Sequence, residues 1–443
     1  MGIPKIWRYN LQQYLTGLIK WVYEKIFNTK TSSEVDTFID NLSYLFTGTM
    51  LATALSFAFN IYAGRVLGPI EYGKFTLVQS IAMFLQVQML LGFSTAMVKY
   101  NSEDINSVRQ KKIISTTYLI VLGFTCLTST SYFLLAPIIS ELLQISIELF
   151  YLAILFAVLF VFYHLTSTTL QGLHQMKMYS KLKPIYSIIL LSCFLVLLHV
   201  YNIISFESMF ISTCIANLLI GLFIFKKIHK YIGFKLDLPW TKTLSKYSIL
   251  MIFADLSFVL QGNIDRIFIN KYLFIDDVGL YTAYYYASIN VINILLGIFI
   301  TAFFPTICKF KQKEDIFKKV NRLLIYIILV GLPLTLASQN IILRFYGDQY
   351  VIDYFLMILF AIAAVLTALY RLYIWTFNST GIQGASLNLI GNGVIAISNV
   401  LLNVLLIPLI GLKGAVVATI VSYIIGISLV LIQSKRDKYL GHQ

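Results

Sequence analysis

From residue 42 almost to its end, the chain alternates between runs of about twenty apolar residues and short polar breaks. At about 1.5 Å of rise per residue, a helical run of that length crosses a hydrocarbon layer roughly 30 Å thick. Twelve runs meet the pattern: 42–64, 75–97, 113–136, 149–170, 184–201, 208–225, 247–269, 279–307, 320–338, 353–377, 382–409 and 411–433. They are continuously apolar, whereas lipid-facing strands alternate apolar and polar positions, so the pattern predicts a helical bundle and not a barrel. The expected fold class is an all-α polytopic membrane protein with twelve transmembrane helices.

Composition agrees. Of 443 residues, 58% are hydrophobic and 12% charged, with mean hydropathy +0.79, more apolar surface than one water-soluble core can hide. The net charge of +14 raises nucleic acid as a partner, but the distribution of the charge argues against it. All but six of the 34 basic residues fall in the N-terminal arm, in the connections after helices 2, 4, 6, 8 and 10, or in the C-terminal tail. Arg65, Lys74, Arg266, Lys271, Arg344 and Lys413 occupy the opposite connections. The positive-inside rule then puts both termini in the cytoplasm, which requires an even number of spans. The first 30 residues lack the apolar core of a cleavable signal and read instead as a basic amphipathic arm on the inner membrane surface. The four cysteines are isolated from one another and read as packing residues.

Two polar breaks share a skeleton. "RVLGPIEYGKF" (65–75) aligns with "KYLFIDDVGLY" (271–281), matching Arg65 to Lys271, Glu71 to Asp277, Gly73 to Gly279 and Thr76 to Thr282. The breaks follow helices 1 and 7, so the chain reads as two six-helix lobes of the same orientation, related by a parallel internal repeat. The expected organisation is an arm (1–40), an N-lobe (41–225), a basic cytoplasmic linker (226–246), a C-lobe (247–433) and a tail (434–443). Two lobes around a central cavity suit a transporter. No connection is long enough for a soluble catalytic domain and no phosphate-binding loop motif is present, so neither enzyme activity nor a cofactor is expected.

Three stretches carry a family resemblance: "FNIYAGRVLGPIEYGKFTLVQSIAMFL" (59–85), "NIDRIFINKYLFIDDVGLYTAYY" (263–285) and "NVLLNVLLIPLIGLKGAVVATIVSY" (399–423). They resemble the Wzx-like oligosaccharide flippases, polysaccharide exporters of the multidrug/oligosaccharidyl-lipid/polysaccharide superfamily. The resemblance implies a V-shaped pair of lobes in a bacterial inner membrane, moving an isoprenoid diphosphate-linked oligosaccharide from the inner to the outer leaflet. It implies as partners that lipid-linked oligosaccharide, membrane lipids, H+ or Na+, and other polysaccharide-assembly proteins. Lipid II flippases of the superfamily usually carry a second Arg six residues after the position of Arg65, where this chain has Glu71. That departure favours an O-antigen, capsule or exopolysaccharide unit. A multidrug antiporter of the same superfamily is the nearest rival, and a membrane polysaccharide polymerase a more distant one.

Ionisable groups inside spans cost at least about 2.5–3.5 kcal/mol on insertion scales, so each is a functional candidate until it is paired. Arg65 and Arg266 are candidates for gripping a diphosphate, since a guanidinium fork binds two oxygens at once. For Arg65 the alternatives are a snorkelling side chain or a Glu71 pair. Gln86, one helical face with Gln79, is a candidate for sugar hydroxyls or for bonding between helices. Asp255, distant along helix 7 from any cation, is the candidate coupling carboxylate. Glu71, Gly73, Asp265, Asp277, Gly279, Asn399 and Asn403 are structural or gating candidates, Asn399 and Asn403 lying four apart on one helical face.

Overall fold

The computed structural model describes residues 33–104, 106–308, 313–379 and 382–437, and every predicted span falls on a helix; no strand occurs among the described residues. In chain order the elements are α1 (Ser33–Leu90), α2 (Phe93–Ser102), α3 (Ser107–Leu143), α4 (Ile147–Gly172), α5 (Met176–His199) and α6 (Phe206–Ile228). A 3-10 turn, His229–Tyr231, leads to α7 (Leu238–Tyr272) and α8 (Ile275–Tyr285), followed by a π turn, Tyr286–Asn290. The chain ends with α9 (Val291–Cys308), α10 (Lys313–Tyr346), α11 (Tyr354–Asn378), α12 (Ile382–Ile410) and α13 (Leu412–Asp437). Ten helices among the described residues are long and apolar enough to cross a membrane. One of these holds the first predicted span and most of the second, whose end crosses the Leu91–Gly92 turn into α2, and the eighth predicted span is divided by the π turn. The predicted amphipathic arm lies outside the described residues up to residue 32, and so does the end of the tail from residue 438.

The first span and most of the second are one long helix broken at Gly68, whose φ of 77° lies in the left-handed region. Pro69 follows, and a proline ring pushes the preceding residue out of the right-handed helical conformation; glycine alone adopts the alternative without a Cβ penalty. The connection between α6 and α7 is shorter than the predicted 226–246. Asp237 caps α7 by accepting from the Trp240 N–H at 3.2 Å, and Pro239 stands in the first turn, so the basic residues at both ends of that stretch are helical.

Outward faces carry bare aliphatic side chains, such as Leu122, Leu127, Phe133, Leu134 and Ile138 on α3, which suits contact with hydrocarbon. The helices before and after the 229–237 connection meet along a seam of α1 against α8, with α2 closing on α7. The two motif glycines lie in that seam. A Cβ on Gly73 would overlap the Ile275 carbonyl and come within 3.0 Å of the Gly279 nitrogen, while one on Gly279 would overlap the Pro69 carbonyl. Beside them Thr282 Oγ1 lies 3.4 Å from Thr76 Oγ1, so matched positions of the two motifs touch. Tyr72, Tyr281, Tyr284 and Tyr346 fill the adjoining core.

Candidate functional site

Between α1, α4, α5 and the π turn lies a cavity of about 420 Å³. Along α1 its wall is Thr49, Ala52, Thr53, Ser56, Phe57 and Asn60, a stripe at helical spacing on one face. Opposite stand Tyr163 of α4 and Lys183, Tyr186 and Ser187 of α5, with Tyr286, Asn290 and Ile294 from the π turn and α9. One extra residue per turn re-aims side chains, and here it brings Tyr286 and Asn290 to the wall; such turns recur at functional sites.

The wall is polar and ordered by its own hydrogen bonds. Ser56 and Ser187 hydroxyls lie 3.2 Å apart, Asn60 Nδ2 donates to the Ser56 carbonyl at 2.8 Å, and Tyr72 donates to Asn60 Oδ1 at 3.3 Å. Tyr72 in turn lies 3.4 Å from the Tyr346 hydroxyl, which joins the cavity's end to the seam. Tyr163 and Tyr186 stack with centroids 5.0 Å apart. Lys183 is the charged residue of the lining; its ammonium donates to Thr49 Oγ1 at 3.2 Å and sits 4.8 Å from the centre of the Tyr179 ring. No ion pair holds it among the described residues.

Sequence reasoning missed Lys183. It stands just before Pro184, where the apolar run begins, and so was grouped with the polar connection. The helix nevertheless runs through Pro184: α5 starts at Met176, which carries Lys183 two turns inside. The signal that was available is the stripe Thr49, Thr53, Ser56 and Asn60, polar positions on one face of an otherwise apolar span.

Of the predicted site residues, Arg65, Arg266 and Gln86 are not among the residues that line this cavity. Arg65 is exposed beside the Gly68 break and makes no ion pair among the described residues. Glu71 is occupied elsewhere: it pairs with Lys74 at 2.6 Å and accepts the Phe206 N–H at 2.9 Å, capping α6. Its motif counterpart Asp277 likewise accepts the Phe274 N–H at 3.2 Å at the start of α8. Arg266 is buried at the seam, donating from Nε to Thr282 at 2.9 Å and from Nη1 to the Gly262 carbonyl at 2.7 Å, with its guanidinium 5.0 Å from the Tyr285 ring centre. Gln86 holds a buried Oε1 that has no partner among the described residues. Asp255 is half-buried on α7 and has no hydrogen bond or ion pair among the described residues.

Asp265, Asn399 and Asn403 are brought together. Asp265 Oδ2 accepts from Tyr281 at 2.5 Å and from Thr419 at 3.4 Å, and Oδ1 accepts from Asn403 at 2.6 Å. Asn403 also donates to Asn399 Oδ1 at 3.1 Å, and Asn399 to Thr419 at 3.4 Å. Four helices, α7, α8, α12 and α13, thus converge on one buried carboxylate. Arg266, its neighbour in sequence, forms no ion pair with it, because successive residues of a helix point about 100° apart. The fully buried Asn403 Oδ1 has no partner among the described residues. One carboxylate with amide and hydroxyl oxygens is a donor set for a proton or a hard cation of low charge. No group of three or more His, Cys, Asp or Glu residues that could hold a metal ion occurs among the described residues.

None of the curated proteins matches the chain. Among solved structures, the lipid II flippase MurJ in an inward closed conformation superposes with TM-score 0.67 at 18% identity, over 88% of this chain and 87% of that one. An inward-facing multidrug resistance MATE family transporter of the MOP superfamily gives TM-score 0.63 at 14% identity, over 88% and 96%. An outward-facing member of that family gives 0.57 at 15%, over 90% and 96%. At such identities these establish the fold that this chain shares with them. The polysaccharide biosynthesis protein family matches residues 38–311, more than half of the sequence, and the chain belongs to that family.

Proposed function

We propose that the chain is a flippase that carries an isoprenoid diphosphate-linked oligosaccharide repeat unit across the bacterial inner membrane by alternating access, for O-antigen, capsule or exopolysaccharide synthesis. The observation that carries this reading is the cavity lining: hydroxyls, amides and aromatic rings around one ammonium, with no carboxylate among the described residues. Sugar hydroxyls both donate and accept hydrogen bonds, which suits Thr53, Ser56, Asn60, Ser187 and Asn290. Lys183 supplies the positive charge that a diphosphate requires, as a compact point charge able to turn toward either phosphate. The volume lies in the range of small-molecule sites, about 300–1,000 Å³. An exporter of cationic drugs would place a carboxylate in this wall, so the antiporter reading is not favoured.

Alternating access then consists of opening the α1–α8 seam while the opposite end of the bundle closes. The asymmetry of basic residues supports cytoplasmic termini, and the matched contacts of Gly73 with Gly279 and Thr76 with Thr282 support two lobes related by an internal repeat. Coupling to H+ or Na+ is assigned first to the Asp265, Asn399, Asn403 and Thr419 oxygens, where an amide oxygen is left over for a cation, and second to Asp255. Purified protein in proteoliposomes, loaded with a fluorescent lipid-linked oligosaccharide, tests the reading. Lys183→Gln is expected to lower translocation at least about ten-fold, the worth of one charge-assisted hydrogen bond, and Lys183→Arg to retain most of it. Equal rates for all three proteins would overturn the cavity assignment.

A further inference from the structure

The segment that joins α6 to α7 is held in place and yet presents apolar side chains outward. Ser115 Oγ donates to the Tyr231 carbonyl at 3.2 Å and accepts the Gly233 N–H at 2.8 Å. Thr116 Oγ1 accepts the Asp237 N–H at 3.1 Å, and Lys112 pairs with the Asp237 carboxylate at 3.3 Å. The backbone is extended at both Ile232 and Asp237. Along this stretch Phe234, at a bend, Leu236, and Leu238, the first residue of α7, are the large apolar residues left exposed. Their relative exposures are 97%, 46% and 73%. A loop pinned by four side-chain contacts does not show a phenylalanine by fraying.

Charge surrounds that apolar edge. Lys226, Lys227, Lys230, Lys235, Lys242 and Lys246 are all exposed, and none forms an ion pair among the described residues. The nearby acid, Asp237, is already occupied by Lys112. The segment also joins the ends of two helices long and apolar enough to cross a membrane. An apolar edge of three side chains set in a ring of unpaired lysines matches the boundary of an anionic leaflet: acyl chains below, phosphates around.

We infer that the 229–238 connection is a membrane-surface anchor, with Phe234, Leu236 and Leu238 inserted at the acyl boundary and the flanking lysines bound to anionic lipid headgroups. The strap between the two sets of helices is thereby tied to the leaflet while the helices on either side of it move. This inference needs only the membrane reading of the chain and does not depend on the substrate.

The test is fluorescence of the full-length Phe234→Trp protein, with the wild-type signal subtracted, in vesicles of zwitterionic lipid alone or mixed with phosphatidylglycerol. The expected result is blue-shifted emission with quenching by brominated acyl chains about two-fold stronger in the anionic vesicles, the difference being lost at about 1 M salt, where charges are screened within a few ångströms. Replacement of Lys226, Lys227, Lys230 and Lys235 by Gln is expected to abolish the same difference, and the salt titration reads the charge dependence independently of whether that variant folds. Emission at the water-exposed position, with equal quenching by aqueous acrylamide in both vesicles, would overturn the inference. So would protection that appears only when other cell proteins are added, which would make the edge a protein-docking surface.

Discussion

Replacing Gly279 with alanine adds one methyl group at the place where α8 meets the Gly68–Pro69 break. That methyl would overlap the Pro69 carbonyl oxygen and lie 2.7 Å from its carbon and 2.9 Å from Pro69 Cα. These are backbone atoms beside a proline and cannot rotate away as a side chain does, so the seam must separate by roughly 1.5–2 Å to restore ordinary contacts of about 3.5–4.0 Å. Overpacking of this kind costs about 1–3 kcal/mol in the closed arrangement. Once the seam opens the methyl meets nothing, and alanine in a helix is better than glycine by roughly 0.5–1 kcal/mol. Because α8 is helical in both arrangements that gain cancels between them, and the clash alone favours the open seam by about 1–3 kcal/mol, or roughly five-fold to a hundred-fold in the equilibrium. The assay is labelling of Thr53→Cys, on the cavity wall, in protein whose native cysteines are replaced, by an impermeant thiol reagent added at the face that carries the Gly68 break. Gly279→Ala is expected to raise the labelling rate by at least about five-fold. Gly123→Ala, where a Cβ would meet nothing within 4 Å, is expected to leave it unchanged. An unchanged rate in folded Gly279→Ala protein would refute the view that this seam separates the cavity from that face.

Asp265→Asn is expected to remove the dependence of transport on an ion gradient, read in proteoliposomes with and without imposed H+ or Na+ gradients. Asp255→Asn is expected to leave that dependence intact, and the reverse outcome would move the coupling site to Asp255. Arg266→Ala withdraws donors from Thr282 and the Gly262 carbonyl in a buried seam; a loss of about 1–3 kcal/mol is expected, seen as a lower thermal midpoint in detergent, with Arg266→Lys recovering part of it. At the membrane boundary, hydrogen bonding from Lys413 holds the Asp353 carboxyl below its ordinary value, helped by the Leu356 and Phe355 N–H groups. A carboxyl depressed on folding contributes stability above its unfolded value of about 3.9 and loses it as pH falls through the folded one. The thermal midpoint of wild-type protein is therefore expected to fall more steeply below about pH 4 than that of Asp353→Asn.

Much of the fold was readable because a bilayer leaves so few choices. A run of about twenty apolar residues without water to satisfy its backbone has to be a helix, and the twelve runs from 42–64 to 411–433 all lie on helices. The Gly68–Pro69 break was readable for a similarly local reason, since proline restricts its predecessor and glycine alone accepts what remains. The motif pairs, Gly73 with Gly279 and Thr76 with Thr282, could be aligned from sequence, but alignment does not say that they touch.

The site was less legible. Asp265 is separated from Asn403 and Thr419 by most of the second half of the chain, and no local spacing marks them as one cluster; only the packing of α7 against α12 and α13 brings them together. Arg65 and Arg266 drew attention as rare cations in membrane spans, and whether such a cation faces a cavity, a seam or the surface depends on how each helix is rotated. Lys183 was hidden by the opposite error, because hydropathy ends a span at the first charge, whereas a helix continues through a lysine whose ammonium has a cavity to enter. Sequence by itself determined which segments cross the membrane and where the chain breaks, since those follow from local transfer energies and backbone sterics. Tertiary structure alone decided which face of each span looks inward, because helix rotation is set by side-chain packing between segments far apart in the chain, and on that rotation rest the cavity, the seam and the Asp265 cluster.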